Sequence, residues 1–203
     1  MNRLTTTLTM LALMGTLMAS AADADKPWIS LFDGSTLDGW TSNGFSEFEA
    51  KDGTIFCEGY GASSIVYTGK VNDGVFTDFE LRASVFVGTE INSGIIFHVG
   101  NKEDPGFDSY EAQINNTYDN ENKTGSLFGP SGALVVVKKD PVPSGKWFSY
   151  HISVRGKSIV LKVDGKITAS YTRPDGGAAT KGTFAFQGPN GVVKLKNISV
   201  RPL

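Results

Sequence analysis

Short runs of alternating hydrophobic and polar residues recur along almost the whole chain. In Asp78–Val85 every second residue from Phe79 onward is apolar, and Phe148–Val154 repeats the pattern. Alternation with a period of two predicts a β-strand with one buried face, and the signals of helices are nearly absent. We predict strands over Glu47–Ala50, Thr54–Glu58, Ser64–Tyr67, Asp78–Val87, Gly94–Val99, Ser109–Asn115, Leu134–Lys138, Trp147–Arg155, Ser158–Val163, Lys166–Thr172, Gly182–Gln187 and Val192–Arg201.

Turn signals separate these runs. Asp164-Gly165 is a two-residue hairpin signal, because both residues readily adopt positive φ. The 24 glycines of the chain fit many tight turns. The apolar positions change phase at Asn197, which predicts a β-bulge. Many short strands with glycine-rich turns indicate an all-β fold, an antiparallel sandwich or jelly roll.

The first residues are typical of a secretory signal peptide. Arg3 precedes an apolar run over Leu8–Met18, and Ala19-Ser20-Ala21 offers small residues for cleavage. We expect residues 1–21 to be a signal peptide, residues 22–203 to form a single jelly-roll domain, and the protein to be periplasmic or secreted. Neither this run nor any later one has the length of a comfortable bilayer span.

Charge and cysteine content restrict the partners. The net charge of −2 argues against nucleic acid and against a membrane surface. Cys57 is the only cysteine, which excludes an intrachain disulfide and favours a buried thiol. Acidic and amide side chains cluster at 119–122 but lack the Asp-x-Asp-x-Asp-Gly spacing of a calcium loop. We therefore expect no metal or other cofactor, with a divalent cation as the alternative.

A row of polar side chains stands out in the strand around residue 112. Glu111, Gln113 and Asn115 share one face of this strand, because successive side chains alternate. Such a row suits the hydroxyl groups of a sugar, and the alternative is an ordinary solvated face. Two long loops, 100–108 and 116–133, flank the strand and predict a mouth over its polar face.

The row limits the chemistry that it can perform. Retaining hydrolysis of a glycoside needs two carboxyl groups about 5–5.5 Å apart, and two of the three positions here are amides. Either Glu80 joins from a neighbouring strand, or one general acid/base acts alone, or the protein only binds. His98 shares one parity with Asn92, Gly94 and Ile96, and if that parity is the polar face, His98 could reach the same cleft as Glu111 and exchange protons there. The alternative for His98 is a hydrogen-bonded residue at a strand end.

The order of several motifs resembles the 3-keto-disaccharide hydrolase family, formerly a domain of unknown function. The resemblance spans nearly the whole chain after the signal peptide. It rests on Leu31–Trp40 (LFDGSTLDGW), Asp78–Arg82, Asn92–Ile95 (NSGI), Tyr110–Ile114 (YEAQI), Thr124–Phe128, Gly145–Trp147 and Lys196–Leu203.

This resemblance implies a concanavalin-like jelly roll, export, and cleavage of glycosides oxidised at C3 by elimination and hydration. It implies Glu111 as the acid or base. Gln113 and Asn92 would hold hydroxyls or the developing enolate. The further candidates for substrate binding are Asn115, Glu80, Arg82 and Gln187.

Two departures from the family pattern bear on activity. Where the family has an arginine after the Asn-Ser-Gly-Ile strand, this chain has His98. Phe186–Asn190 keeps the family's glutamine at Gln187 but lacks the histidine that often follows. The alternative function is therefore a non-catalytic carbohydrate-binding jelly-roll module.

Overall fold

The computed structural model of the protein describes residues 26–59, 63–176 and 179–203. The expected signal peptide, residues 1–21, lies outside these ranges. The strands are β1 Ile29–Ser30, β2 Trp40–Gly44, β3 Glu47–Lys51, β4 Thr54–Gly59, β5 Ser63–Tyr67, β6 Phe79–Val87, β7 Asn92–Val99, β8 Tyr110–Asn115, β9 Leu127–Gly129, β10 Gly132–Val135, β11 Lys146–Arg155, β12 Ser158–Val163, β13 Lys166–Thr172, β14 Thr183–Gln187 and β15 Gly191–Pro202. One 3₁₀ turn spans Val71–Gly74.

The strands form two antiparallel sheets. An eight-stranded sheet has the order β13-β12-β11-β6-β15-β4-β3, with β1 paired to β15. A seven-stranded sheet has the order β10-β9-β8-β7-β14-β5-β2. Seven of the thirteen pairings among these strands join strands that are not consecutive in sequence, as expected when the chain crosses between the two sheets of a jelly roll. The predicted all-β antiparallel jelly-roll sandwich is confirmed.

The hydrophobic core lies between the two sheets. On β6 the side chains of Phe79, Leu81, Ala83 and Val85 are buried, and the intervening positions face outward. β11, β12 and β15 contribute buried side chains in the same alternating way, whereas β5, β7 and β14 are buried at nearly every position. Burial of apolar surface at about 25 cal/mol per Å² therefore stabilises the sandwich without a disulfide. Cys57 is buried in this core, as predicted, and burial raises the pKa of its thiol to about 11.

All twelve predicted strands are present, with ends that differ by a few residues. The prediction missed β1, β2 and β9. The sequence of β2 is typical of a turn, because Ser42, Asn43 and Gly44 are common turn residues. It is a strand nevertheless, since it pairs along its whole length with β5. The bulge predicted at Asn197 is confirmed by a register shift between β15 and β6.

Candidate functional site

The polar row of β8 faces away from the core of the sandwich. Tyr110, Ala112 and Ile114 are buried between the sheets, so Glu111 and Gln113 project from the outer face of the seven-stranded sheet. The predicted alternation of this strand is confirmed. β8 is flanked by β7 on one side and β9 on the other, which places Glu111 well inside the sheet.

The side chain of Glu111 lies across the neighbouring strand β7. A Cβ atom at Gly94 would lie 2.0 Å from Glu111 Oε1 and 2.6 Å from its Cγ. The carboxyl therefore occupies the space that any larger residue at position 94 would fill. Glu111 pairs with Ile96 in the register between β7 and β8, so one flank of the carboxyl is apolar.

Gln113 holds the carboxyl of Glu111 from the same strand. The hydrogen-bonding pattern places its amide nitrogen 2.8 Å from the carbonyl oxygen of Ser93 and 3.2 Å from Glu111 Oε1, donating to both. The other end of its amide lies 3.1 Å from the side-chain amide of Asn92. Gln113 is 4% exposed, so it contacts Glu111 from a covered position beside the cleft.

A cleft of about 280 Å³ opens above Glu111. Its floor includes outward residues of β7, β14 and β5, and its wall is the loop 100–108. Asn43 fastens this wall, because its amide donates to the carbonyl oxygen of Glu103 at 2.7 Å. The lining residues are Asn43, Ser63, Ser64, Ile96, Glu103, Asp104, Pro105, Gly106, Glu111 and Gln187.

The surroundings of Glu111 favour its protonated form. Val66, Ile96, Val99 and Ala185 form a small buried apolar cluster on the same face of the sheet. Burial raises the pKa of Glu111 from 4.5 to about 7. A carboxyl group with this pKa can both donate and accept a proton near neutral pH. It is only half-buried, so a substrate in the cleft can reach it.

Gln187 lies in the cleft with an unused acceptor. It sits on β14 opposite Ser64, and its Oε1 is buried with no partner among the described residues. A buried acceptor without a partner is costly, and a hydroxyl group of a bound ligand would satisfy it. This placement agrees with the position of Gln187 among the candidate binding residues.

Asn115 shares the face of Glu111, but it is covered. It is fully buried, and its amide donates to the carbonyl oxygens of Asn122 at 2.9 Å and of Asn120 at 3.4 Å. The segment that follows β8 therefore folds back over Asn115 and is held by it. The geometry gives Asn115 a structural contact rather than access to the cleft.

The expectation that His98 reaches the cleft of Glu111 is wrong. A bulge in the pairing of β7 with β14 falls at His98, whose φ is +59°. The bulge turns the ring to the core side, where it packs edge-on against Phe79 with centroids 5.7 Å apart. Its Nε2 lies 2.9 Å from the carbonyl oxygen of Thr77, and burial lowers its pKa to about 4.

His98 is paired instead with a buried arginine. Arg173 Nη1 lies 3.3 Å from His98 Nδ1, and Arg173 is 6% exposed. A neutral imidazole accepts a hydrogen bond from this guanidinium, whereas a protonated one would repel it. This pair is outside the cleft and holds the end of β7 to the segment after β13.

Glu80 and Arg82 are also far from the cleft, contrary to the prediction that they join it. Both project from β6, which belongs to the eight-stranded sheet, so they face outward on the opposite side of the sandwich. Glu80 forms an ion pair with Arg201 and another, at 3.2 Å, with Arg155. Arg82 lies 4.2 Å from the ring centroid of Trp28. Alternation along β6 was predicted well, but alternation does not tell which sheet a strand joins.

Two parts of the site were not predicted from the sequence. Gly94 was named within a motif, but the close contact between Gly94 and the Glu111 carboxyl depends on the register between β7 and β8. Glu103 and Asp104 bring two more carboxyl groups to the wall of the cleft. The length of the loop 100–108 was the signal for this wall, although it did not single out residues.

The described residues show no candidate metal site and no candidate membrane-spanning helix. Within residues 26–59, 63–176 and 179–203, no group of three or more His, Cys, Asp or Glu side chains is arranged to hold a metal ion. None of the helices in the same ranges has the length and apolar character needed to cross a bilayer.

Comparison with known families identifies the class of protein. The model of the 3-keto-alpha-glucoside-1,2-lyase-like domain matches residues 27–201. The chain therefore belongs to this family, in agreement with the resemblance found in the sequence. None of the curated proteins that were compared matches the chain.

Solved structures share the fold at low sequence identity. A crystal structure from Parabacteroides distasonis ATCC 8503, assigned provisionally as a glycosyl hydrolase, has a TM-score of 0.71 and 22% identity, covering 89% of this chain and 95% of that one. The carbohydrate-binding module CBM66 from Bacillus subtilis has a TM-score of 0.62 and 16% identity, covering 86% of this chain and 99% of that one. At these identities the similarity establishes the jelly-roll fold alone.

Proposed function

We propose that this chain is an exported carbohydrate-active enzyme that cleaves 3-keto-glycosides, with Glu111 as the residue that transfers protons. The observation that carries the proposal is the accessible carboxyl group of Glu111 in a cleft, with its pKa raised to about 7. Membership of the 3-keto-alpha-glucoside-1,2-lyase-like family supports the choice of substrate. The pattern of the first 21 residues supports a periplasmic or secreted location.

A single carboxyl group is sufficient for this reaction. A ketone at C3 of the sugar acidifies the C–H bond at C2. Glu111 removes this proton, the C–H electrons form a C1–C2 double bond, and the C1–O bond breaks. The departing oxygen takes a proton, which the newly protonated Glu111 can supply. Addition of water to the resulting enone completes net hydrolysis, and no second carboxylate is required.

The neighbours of Glu111 fit the roles that this chemistry requires. Gln113 keeps the carboxyl in one orientation through the 3.2 Å hydrogen bond, and is therefore a positioning residue. Asn92 is half-buried beside it and can donate a hydrogen bond to an oxygen that becomes negative in the transition state. Gln187 would accept a hydrogen bond from a sugar hydroxyl.

The charge of the cleft restricts the substrate. Glu103, Asp104 and Glu111 line it, and no lysine, arginine or histidine is among the described lining residues. An acidic sugar would be repelled from such a cleft, whereas a neutral keto-sugar would not. We therefore expect an uncharged di- or oligosaccharide as substrate.

Replacement of Glu111 by glutamine tests the proposal. Glu111→Gln keeps the shape but removes the proton exchange, so turnover of a 3-keto-disaccharide should fall at least about 10²-fold. Mass spectrometry for the enone and the free sugar would measure it. Glu58→Gln removes an exposed carboxylate from β4 of the other sheet and should leave turnover unchanged. Full activity of Glu111→Gln, with its thermal midpoint retained, would exclude the assignment.

A non-catalytic carbohydrate-binding module is the second candidate. It is favoured by the lack of a basic side chain among the described lining residues, since a cation would help to stabilise an enolate. Such a module would bind an unoxidised oligosaccharide saturably and release no product from any keto-sugar. The panel of 3-keto-disaccharides that tests the enzyme therefore separates the two functions.

A further inference from the structure

The outer surface of four adjacent strands of the eight-stranded sheet, β12, β11, β6 and β15, is basic, although the whole chain has a net charge of −2. This sheet face is opposite to the one that carries Glu111. The outward positions of β6, β11, β12 and β15, which are described completely, include one carboxylate, Glu80. The cations at the outward positions of the same four strands are Arg82, Arg155, Lys162, Lys194, Lys196 and Arg201.

Aromatic rings alternate with some of these cations across the strands. Lys194 pairs with Phe86 of β6 and with Phe56 of β4, and its Nζ lies 5.3 Å and 5.7 Å from their ring centroids. Lys196 Nζ lies 4.2 Å from the ring of Trp147, which is 41% exposed. We call these five residues the basic aromatic face. They come from four strands, so the sequence shows no basic stripe.

A polar hollow of about 520 Å³ continues this face toward β1. Hydroxyl groups of Ser84, Ser149 and Ser199 line it together with Arg82 and Asn197, and Asp33 is the one carboxylate among its described lining residues. The hollow therefore offers neutral hydrogen-bonding groups and one cation, Arg82, which lies against the ring of Trp28. These are the groups that would bind a molecule with many hydroxyls and some negative charge.

We propose that the basic aromatic face and this hollow bind an anionic glycan, a polysaccharide chain that carries carboxylate or sulfate groups. The lysines would pair with the charges, the rings of Trp147, Phe86 and Phe56 would pack against the apolar faces of the sugars, and the serines would bind hydroxyls. The cleft of Glu111 is acidic and lies on the other sheet, so it cannot be the site of such a ligand. The two sites would allow the protein to stay bound to an acidic polymer while it acts on a neutral sugar.

A glycan fits better than the other polyanion that basic and aromatic residues recognise. Single-stranded nucleic acid requires a positive field along its whole path. Here Glu47, Glu49 and Glu58 border the basic aromatic face on β3 and β4. A polysaccharide with spaced charges can follow the lysines and avoid these carboxylates.

Affinity electrophoresis of the whole exported chain tests the proposal. Polygalacturonate in the gel should retard the protein, dextran should not, and retardation should weaken between about 50 and 300 mM salt. Lys194→Gln/Lys196→Gln should weaken the binding about fivefold or more. Trp147→Ala should weaken it as well, with circular dichroism as the check that the variant is folded.

Matched variants separate this site from general charge. Lys138→Gln/Lys139→Gln removes two exposed lysines from a loop outside this face and should change the affinity less than twofold. An equal loss in this control, equal retardation by dextran, or no retardation by polygalacturonate would overturn the proposal. Tighter binding of single-stranded DNA than of polygalacturonate would indicate that the ligand of this face is nucleic acid and not a glycan. None of these outcomes depends on whether Glu111 is catalytic.

Discussion

The smallest unit on which the proposed chemistry depends is the pair Glu111 and Gly94. The carboxyl group lies over a residue that has no side chain, and this position keeps it against the apolar flank of Ile96. Burial there raises its pKa to about 7. Gly94 thus controls the ionisation of Glu111, although it has no chemical group of its own.

Gly94→Ala should displace the carboxyl while the fold is kept. The new methyl group would overlap Glu111 Oε1 and Cγ, which are atoms of a flexible side chain that can swing into the cleft. The pKa of Glu111 should then fall toward 4.5, and turnover of a 3-keto-disaccharide should drop about 10²-fold. Titration of the carboxyl by nuclear magnetic resonance and kinetic assays would measure both effects.

Gly100→Ala is the matched control for this substitution. A Cβ at Gly100 would meet no atom within 4 Å, so neither the pKa of Glu111 nor the turnover should change. If Gly94→Ala kept both the raised pKa of Glu111 and the wild-type rate, Gly94 would not determine the position of the Glu111 carboxyl.

At the scale of the strands, alternation predicted which residues share a face but not where a strand is interrupted. β8 alternates without a break, and Glu111 was placed correctly opposite Tyr110. β7 carries a bulge at His98, close to the end of the strand, so His98 lies on the face opposite to the expected one. The bulge at Asn197 shifts the apolar phase of a strand that continues beyond it, whereas β7 ends one residue after His98, so the bulge at His98 leaves no phase change in the sequence. Contacts with Arg173 and Phe79 hold His98 in its observed position.

Asn115 shows the same distinction between a face and its exposure. Its amide holds the segment 116–126 through the carbonyl oxygens of Asn120 and Asn122. Asn115→Ala would leave both acceptors without this donor and should lower the free energy of unfolding by about 1–3 kcal/mol. Asn101→Ala, at an exposed position, should change it by less than about 0.5 kcal/mol.

The two roles considered for Asn115 give different results in this experiment. Urea unfolding would measure the stability, and hydrogen exchange would report weaker protection of the 120–124 segment. A variant with unchanged stability and a weakened affinity for saccharide would instead favour the binding role that the sequence suggested.

At the scale of the whole molecule, the sequence predicted the fold almost completely but predicted the distribution of charge poorly. Twelve strands and the sandwich followed from local alternation and turns. Which strands become neighbours depends on contacts between distant segments, so the acidic cleft and the basic aromatic face were not visible in the linear order. For the same reason Glu80 and Glu111, each on a correctly predicted face, are on opposite sides of the protein.

The stability of the folded protein should depend on pH through two groups, Glu111 and His98, that act in opposite directions. The pKa of Glu111 is raised from 4.5 to about 7 by folding, so its contribution to stability is complete below pH 4.5 and is lost as the pH rises to 7. The pKa of His98 is lowered from 6.5 to about 4, so its contribution is complete above pH 6.5 and is lost as the pH falls to 4. Between pH 4.5 and 6.5 the two effects oppose each other.

Comparison of Glu111→Gln with the wild type should therefore isolate the contribution of the Glu111 carboxyl to stability, which the opposing contribution of His98 masks in the wild type. The variant lacks the cost of ionising the half-buried carboxyl of Glu111, so its free energy of unfolding relative to the wild type should increase between pH 4.5 and 7. The increase should be roughly 2 kcal/mol after allowance for solvent screening, and the difference should stay constant above pH 7. His98→Gln should show the reverse, gaining relative stability as the pH falls from 6.5 to 4. Urea unfolding of the three proteins at pH 4 to 8 measures both differences, and other titrating groups cancel in them. A difference between Glu111→Gln and the wild type that is flat across this range would mean that the carboxyl titrates normally, and the chemistry proposed for it would then lose its basis.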